Sequence, residues 1–220
     1  MKLKYFVMTA FLTAMATVNA QAARSENVTL VKRTSILEDS SEHRRMNKDY
    51  TLTAQLTGFA VSPVPAAGVN FGLFLDRNSM LQAEFSKGTL PFWFFNMNAT
   101  TLGANYKRFF GNSFYGKIGA DYRSISASDI DTGYTKQSGT IGEAESLVGN
   151  VAIGNQWQWE NFTMGCDWIG VNPPIAVLKT TYNPGTNLND SDRADLEKSW
   201  NNIAKVTSYQ FLRFYLGASF

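Results

Sequence analysis

The sequence predicts an all-β fold, an eight-stranded antiparallel up-and-down β-barrel that crosses a membrane. Three observations carry this expectation. Apolar and polar residues alternate along eight stretches from Tyr50 onward, the period of a strand with one apolar face. The connections between the stretches alternate between short and long, as they do where one barrel end carries tight turns and the other carries loops. The last strand ends on an aromatic residue, Phe220, at the edge of its apolar face.

Residues 1–22 come first. Met1-Lys2-Leu3-Lys4 is a short basic stretch, Tyr5 to Val18 is mostly apolar, and Ala20-Gln21-Ala22 fits an A-x-A cleavage site, with Val18-Asn19-Ala20 nearly as good. The apolar run is short for a membrane-spanning helix, so a cleaved signal peptide is expected. The chain holds 20 Lys+Arg and 18 Asp+Glu, and removing Lys2 and Lys4 leaves 18 of each. That balance gives no electrostatic support to a nucleic-acid partner. The lone Cys166 excludes an intramolecular disulfide and a cysteine zinc cluster. Residues 23–48, polar and charged to Arg45, read as a flexible leader, and 49–220 as the barrel.

The strands follow in order. Tyr50–Ala60 sets Tyr50, Leu52, Ala54 and Leu56 against Thr51, Thr53 and Gln55. Val69–Asp76 sets Val69, Phe71, Leu73 and Leu75 against Asn70, Gly72 and Asp76, with Phe74 as an exception. Ser79–Ser86 carries Leu81, Ala83 and Phe85 opposite Gln82 and Glu84; Asn98–Arg108 carries Leu102, Ala104 and Tyr106 opposite Gly103, Asn105 and Lys107. Ser113–Arg123 alternates most regularly, Phe114, Ile118, Ala120 and Tyr122 against Tyr115, Lys117, Gly119, Asp121 and Arg123. Leu147–Trp157 and Phe162–Ile169 follow, and Ser208–Phe220 closes. Strands of roughly eight to thirteen residues suffice to cross a bilayer when tilted.

In the closing strand Leu212, Phe214, Leu216, Ala218 and Phe220 alternate with Arg213, Tyr215, Gly217 and Ser219. This ending resembles the C-terminal targeting strand of Gram-negative outer-membrane β-barrels, with Phe214, Leu216, Ala218 and Phe220 as the targeting residues. Residues 50–220 are similar to small barrels of the OmpA-like or OmpW-like kind, without a motif that selects one family. The resemblance implies a location in the bacterial outer membrane after signal cleavage. It also implies a leader in the periplasm, contact with outer-membrane lipid and lipopolysaccharide, and assembly by the barrel assembly machinery through the closing strand.

The polar face carries charges of both signs, Asp76, Glu84, Lys107, Lys117, Asp121, Arg123, Asp167 and Arg213. In a barrel of eight strands such side chains fill the interior, and buried charges persist only when paired. Aromatics are expected in two girdles: Tyr50, Tyr106, Phe109, Phe110, Phe114 and Phe162 at the turn end, and Trp93, Phe94, Phe95, Tyr122 and Trp168 at the loop end. The sole histidine, His43, precedes the first strand, so a histidine-dependent hydrolase or acyltransferase of the lipid A-modifying kind lacks its general base. Neither an enzyme nor a cofactor or metal site is expected. Trp93, Phe94, Phe95 and Trp200 are candidate loop contacts, and a short helix is expected at about Asp192–Lys205, with Leu196, Trp200 and Ile203 at helical spacing. The leading expectation is a non-enzymatic barrel with a filled polar interior and a structural or surface-interaction role through its loops. A narrow or lateral channel for small or hydrophobic solutes and a soluble secreted ligand-binding barrel are the alternatives, and the loop partner is unknown.

Overall fold

The computed structural model describes residues 40–61, 66–91, 96–131, 136–182 and 190–220. The expected signal peptide, leader residues 23–39 and Trp93, Phe94 and Phe95 lie outside them. The elements are α1 (Ser41–Arg45), β1 (Tyr50–Val61), β2 (Ala67–Asp76), β3 (Ser79–Pro91), β4 (Asn96–Phe110) and β5 (Phe114–Asp131). They continue with β6 (Lys136–Trp159), β7 (Phe162–Asn172), β8 (Pro174–Tyr182), α2 (Asp190–Ala204) and β9 (Ser208–Ser219).

Eight strands close a barrel. Sequence neighbours β1 to β7 pair antiparallel, β9 lies between β7 and β1, and the β5–β6 ladder completes the ring. At the turn end the two barrel termini bond to each other: Asp49 and Tyr50 donate to the carbonyl of Phe220, and Phe220 donates back to Tyr50 at 3.0 Å. The tight turns, 77–78, 111–113 and 160–161, share that end. Gly111 (φ 80°) supplies the left-handed residue of the second turn.

The apolar face points outward. Leu52, Leu56, Leu102, Ile118, Phe214 and Leu216 are each more than half exposed, whereas Thr53, Gln82, Glu84, Asn105, Lys117 and Asp167 on the other face are buried. A soluble barrel has the reverse arrangement, so the secreted ligand-binding alternative does not fit this surface. At the turn end Tyr50–Phe71, Phe110–Phe114 and Trp159–Phe162 form ring pairs 5.8, 6.1 and 5.8 Å apart, the aromatic belt of a membrane interface. Phe109, expected in that belt, is instead inside and 2% exposed, because it shares the parity of Lys107 rather than that of Tyr106 and Phe110.

The loop end departs from a plain barrel. β5 and β6 run on as a hairpin to Asp131 and from Lys136, where the sequence ended these strands at Arg123 and began them at Leu147. Pro173 separates β7 from β8: β7 pairs with Val151–Trp159 of β6, and β8 pairs with Gly142–Val148 of the same strand. Proline has no N–H to give the ladder, but its carbonyl accepts from Gly149 N at 2.8 Å. β9 keeps beside β7 up to Asn172, so β8 leaves the barrel wall and stands on β6 as a ninth strand. α2 lies within two residues of the expected helix and packs on β6 and β8. Its Trp200 and Ala204 are buried with Ala127 of β5 and Ala144 of β6, with Tyr182 and Ile203 against them. Ala127 and Ala144 continue the inward-facing rows of their strands, so α2 lies over the barrel mouth.

Candidate functional site

The lumen is built in layers from the inward rows of the strands, and two irregularities set its middle layer. Between Ile153↔Ile169 and Gly154↔Asp167 the β6–β7 register shifts, so that Trp168 is an extra residue on β7. At the same level of β9, Leu212 has a left-handed φ of 55°, and the pairing steps from Asp167↔Arg213 to Ile169↔Phe211. Below these points residues 163, 165, 167, 213 and 215 are buried; above them the buried residues are 170, 208 and 210. A bulge re-aims side chains in this way: Ile169 and Phe211 stay on the outer surface, while Asp167 and Arg213 face each other inside.

Asp167 is the hub. Its carboxylate accepts from Lys117 Nζ at 2.8 Å, from Arg213 Nε at 2.9 Å, and from Arg213 Nη2 and the Tyr115 hydroxyl. Glu84, across the lumen, accepts from Arg213 Nη1 and from Gln55 Nε2 at 3.0 Å, and lies 3.9 Å from Lys117 Nζ. All four charged side chains are at most 5% exposed. Lys107 stands directly opposite Lys117 in the β4–β5 register. Its ammonium avoids the like charge by lying between the rings of Tyr115 and Tyr215, 4.5 and 4.4 Å from their centres, and donating to the Tyr215 hydroxyl at 3.2 Å. Gly165 leaves the room this needs, since a Cβ there would overlap the Tyr215 ring.

Toward the turn end Phe74, Met80, Phe109, Tyr115 and Tyr215 form an apolar cluster, and α1 closes it. Arg45 is 1% exposed. Its guanidinium stacks over Phe109 at 4.0 Å and donates to the carbonyls of Arg77 (3.1 Å), Asn112 (2.7 Å) and Gly111 (3.0 Å), the orphan carbonyls of two turns. Burial pushes Arg45 down to about 10. Ser41 Oγ accepts from Gln158 N at 3.0 Å, and Lys48 Nζ donates to Asn161 in the third turn. Residues 40–48, expected as part of a flexible leader, are therefore a stopper fastened to all three turns. His43 is exposed on α1.

Toward the loop end the lumen widens into a cavity of about 70 Å³, with Glu84, Asp121, Arg123, Arg213, Ser86, Thr101, Ser208 and Gln210 in its wall. Asp121 Oδ2 accepts from Asn150 Nδ2 (2.9 Å) and Asn172 Nδ2 (3.4 Å). Arg123 reaches upward, donating to Ser146 Oγ, Ser208 Oγ, and the carbonyls of Ala204 (3.4 Å) and Val206 (3.1 Å). It caps the end of α2 and ties it to the wall.

Seven of the eight charges expected inside are there. Asp76 is the correction: it is exposed, and its carboxylate accepts from Asn78 N at 2.6 Å and from Ser79 Oγ. It lies beyond the last lumen row, where Asp serves the local turn. Trp200, expected as a loop contact, is 7% exposed because Gly142 leaves space for its indole. Phe214, Leu216, Ala218 and Phe220 lie on the outer face of β9. Tyr115, Tyr215 and Gln55 were not singled out in the sequence, although their polar-side parity marks them as inward. Arg45, the β7 bulge and the left-handed Leu212 gave no local signal.

No family model matches the chain, and no curated protein does. Among solved structures, the chain is similar to the N-terminal β-barrel domain of Pseudomonas aeruginosa OprF. The identity is 14%, the TM-score 0.44, and the match covers 79% of this chain and 98% of that one. It is also similar to Neisserial surface protein A (12%, 0.44, 78% and 96%). A third is Ail, the attachment invasion locus protein of Yersinia pestis (10%, 0.46, 80% and 100%). The chain has the architecture of a closed eight-stranded antiparallel β-barrel. The likeness is one of fold only.

Proposed function

We propose that this chain is a non-enzymatic protein of the bacterial outer membrane with a closed lumen, and that its role is structural or one of surface interaction through the loop-end extension. The observation that carries the reading is the stack inside the barrel. The layer of Glu84, Lys117, Asp167 and Arg213 crosses the lumen, α1 stops one end, and α2 covers the other. Among the described residues, what remains accessible is the lipid-facing wall and the β5–β6–β8 extension with α2. Lipid and lipopolysaccharide are the partners of the wall. The strand ending in Phe214, Leu216, Ala218 and Phe220 is the signal for the barrel assembly machinery, because it makes the closing ladder with β1 and presents an apolar edge.

Two measurements test this. In an outer-membrane fraction, the band of the folded protein shifts on boiling in SDS; a soluble periplasmic band without a shift contradicts the reading. In planar bilayers the full chain gives no steady conductance, whereas a reproducible conductance favours the narrow-channel alternative.

A further inference from the structure

The cavity between the ion layer and α2 holds the two carboxylates that leave an oxygen without a hydrogen bond; the other buried side-chain groups left over among the described residues are amides. Every nitrogen of Arg213 and of Arg123 already donates to a protein acceptor. The two carboxylates in the same wall, on residues 3% and 2% exposed, each keep one oxygen without a hydrogen bond from the protein: Oε2 of Glu84, with Lys117 Nζ at ion-pair distance of 3.9 Å, and Oδ1 of Asp121. Glu84, Gly103 and Asp121 are consecutive in the register of β3, β4 and β5, so β4 places no side chain between the two acids. Gly103 is needed there, because a Cβ would run into Asp121 Oδ1. Among the described residues Asp121 has no ion pair; two amides are its only donors. The same wall leaves over one neutral donor, Nε2 of Gln210, so the charge left without a hydrogen bond in the cavity is negative, on the two carboxylate oxygens, although cations stand around it.

Those surroundings choose among cations. Lys117 and Arg213 stand beside Glu84 and Arg123 above Asp121, so a divalent ion would meet three fixed positive charges. Among the described residues no group of three or more His, Cys, Asp or Glu could hold a metal. A singly charged group that donates several hydrogen bonds suits the site better, since two carboxylate oxygens and the hydroxyls of Ser86 and Thr101 in the wall all accept.

We propose that this cavity is a binding site for a small N–H-donating monocation, ammonium or a primary alkylammonium, held between Asp121 Oδ1 and Glu84 Oε2 beneath the α2 cover. The test is calorimetric titration of methylammonium into the full chain folded in detergent micelles, in cacodylate buffer, which neither donates an N–H nor precipitates calcium. Tetramethylammonium, which cannot donate, and calcium are titrated in parallel. The thermal unfolding midpoint is read in the same solutions.

Saturable methylammonium binding is expected, with a raised midpoint and at least tenfold weaker binding of the other two ions. Asp121→Asn, which keeps the shape of the side chain, is expected to lose the binding at least tenfold. Ala99→Leu, which fills the cavity from a wall position without touching either acid, loses it as well. Absence of saturable heat overturns the proposal. So does equal binding of tetramethylammonium or calcium, or unchanged binding in both folded variants.

Discussion

Asp167 and Asp121 are both buried carboxylates on the inner wall of the same barrel, and their surroundings differ completely. Asp167 faces Arg213 directly across the β7–β9 ladder, and Lys117 and Tyr115 close on it from β5. Asp121 stands between Gly103 and Val148 in its two ladders, and only amides reach it. Register decides which buried charge is neutralised, because a direct cross-strand neighbour is the one group a strand cannot avoid. The first region is a finished plug; the second is a cavity with an acceptor left over.

Asp167→Ala breaks this contrast most severely. It leaves Lys117 and Arg213 buried with too little negative charge, and removing one partner of a buried pair costs about 3–5 kcal/mol. The folded band in a urea series is expected to vanish at clearly lower denaturant, and an unchanged midpoint would show the plug to be energetically idle. Ile118→Lys comes next. Ile118 is 60% exposed on the outer face, where a lysine near the bilayer centre costs about 2–4 kcal/mol. In lipid vesicles the unfolding midpoint falls accordingly, whereas a barrel facing water would tolerate the change.

Arg45→Ala removes three hydrogen bonds and a ring contact from the stopper, about 2 kcal/mol. It is also expected to expose the 40–48 segment to trypsin at Arg44 and Lys48 in the folded protein, and cleavage no faster than in the parent chain would contradict a fastened stopper. Asp121→Asn is smallest, about 1 kcal/mol or less, because only neutral amide contacts change. A loss as large as that of Asp167→Ala would show that Asp121 belongs to the plug after all.

Much of the barrel was legible in the sequence because a strand writes its two faces at a period of two. Eight strands, their order and seven of the eight expected lumen charges come from that alone. The errors cluster where a strand does something besides alternate. Phe109 was assigned by its aromatic character against its parity, and Asp76 by parity across a register shift that follows Phe74 at the end of β2. Alternation alone gives no mechanism for the stretch from Gly165 to Gly170. Structure supplies one: Gly165 admits the Tyr215 ring, Asp167 is the hub, Trp168 is the bulge, and Gly170 lies against Gln210.

The sequence by itself determined the class of the fold, most of the inward set of residues and the helix within the long last connection, since alternation, turn residues and helical spacing are local properties. Only the tertiary structure decided which charges meet, that Arg45 closes one end and Trp200 covers the other, and that Asp121 keeps a free oxygen. Those facts depend on register between strands far apart in sequence, on the bulge at Trp168 and on the left-handed Leu212 beside it. No single strand, read alone, carries that information.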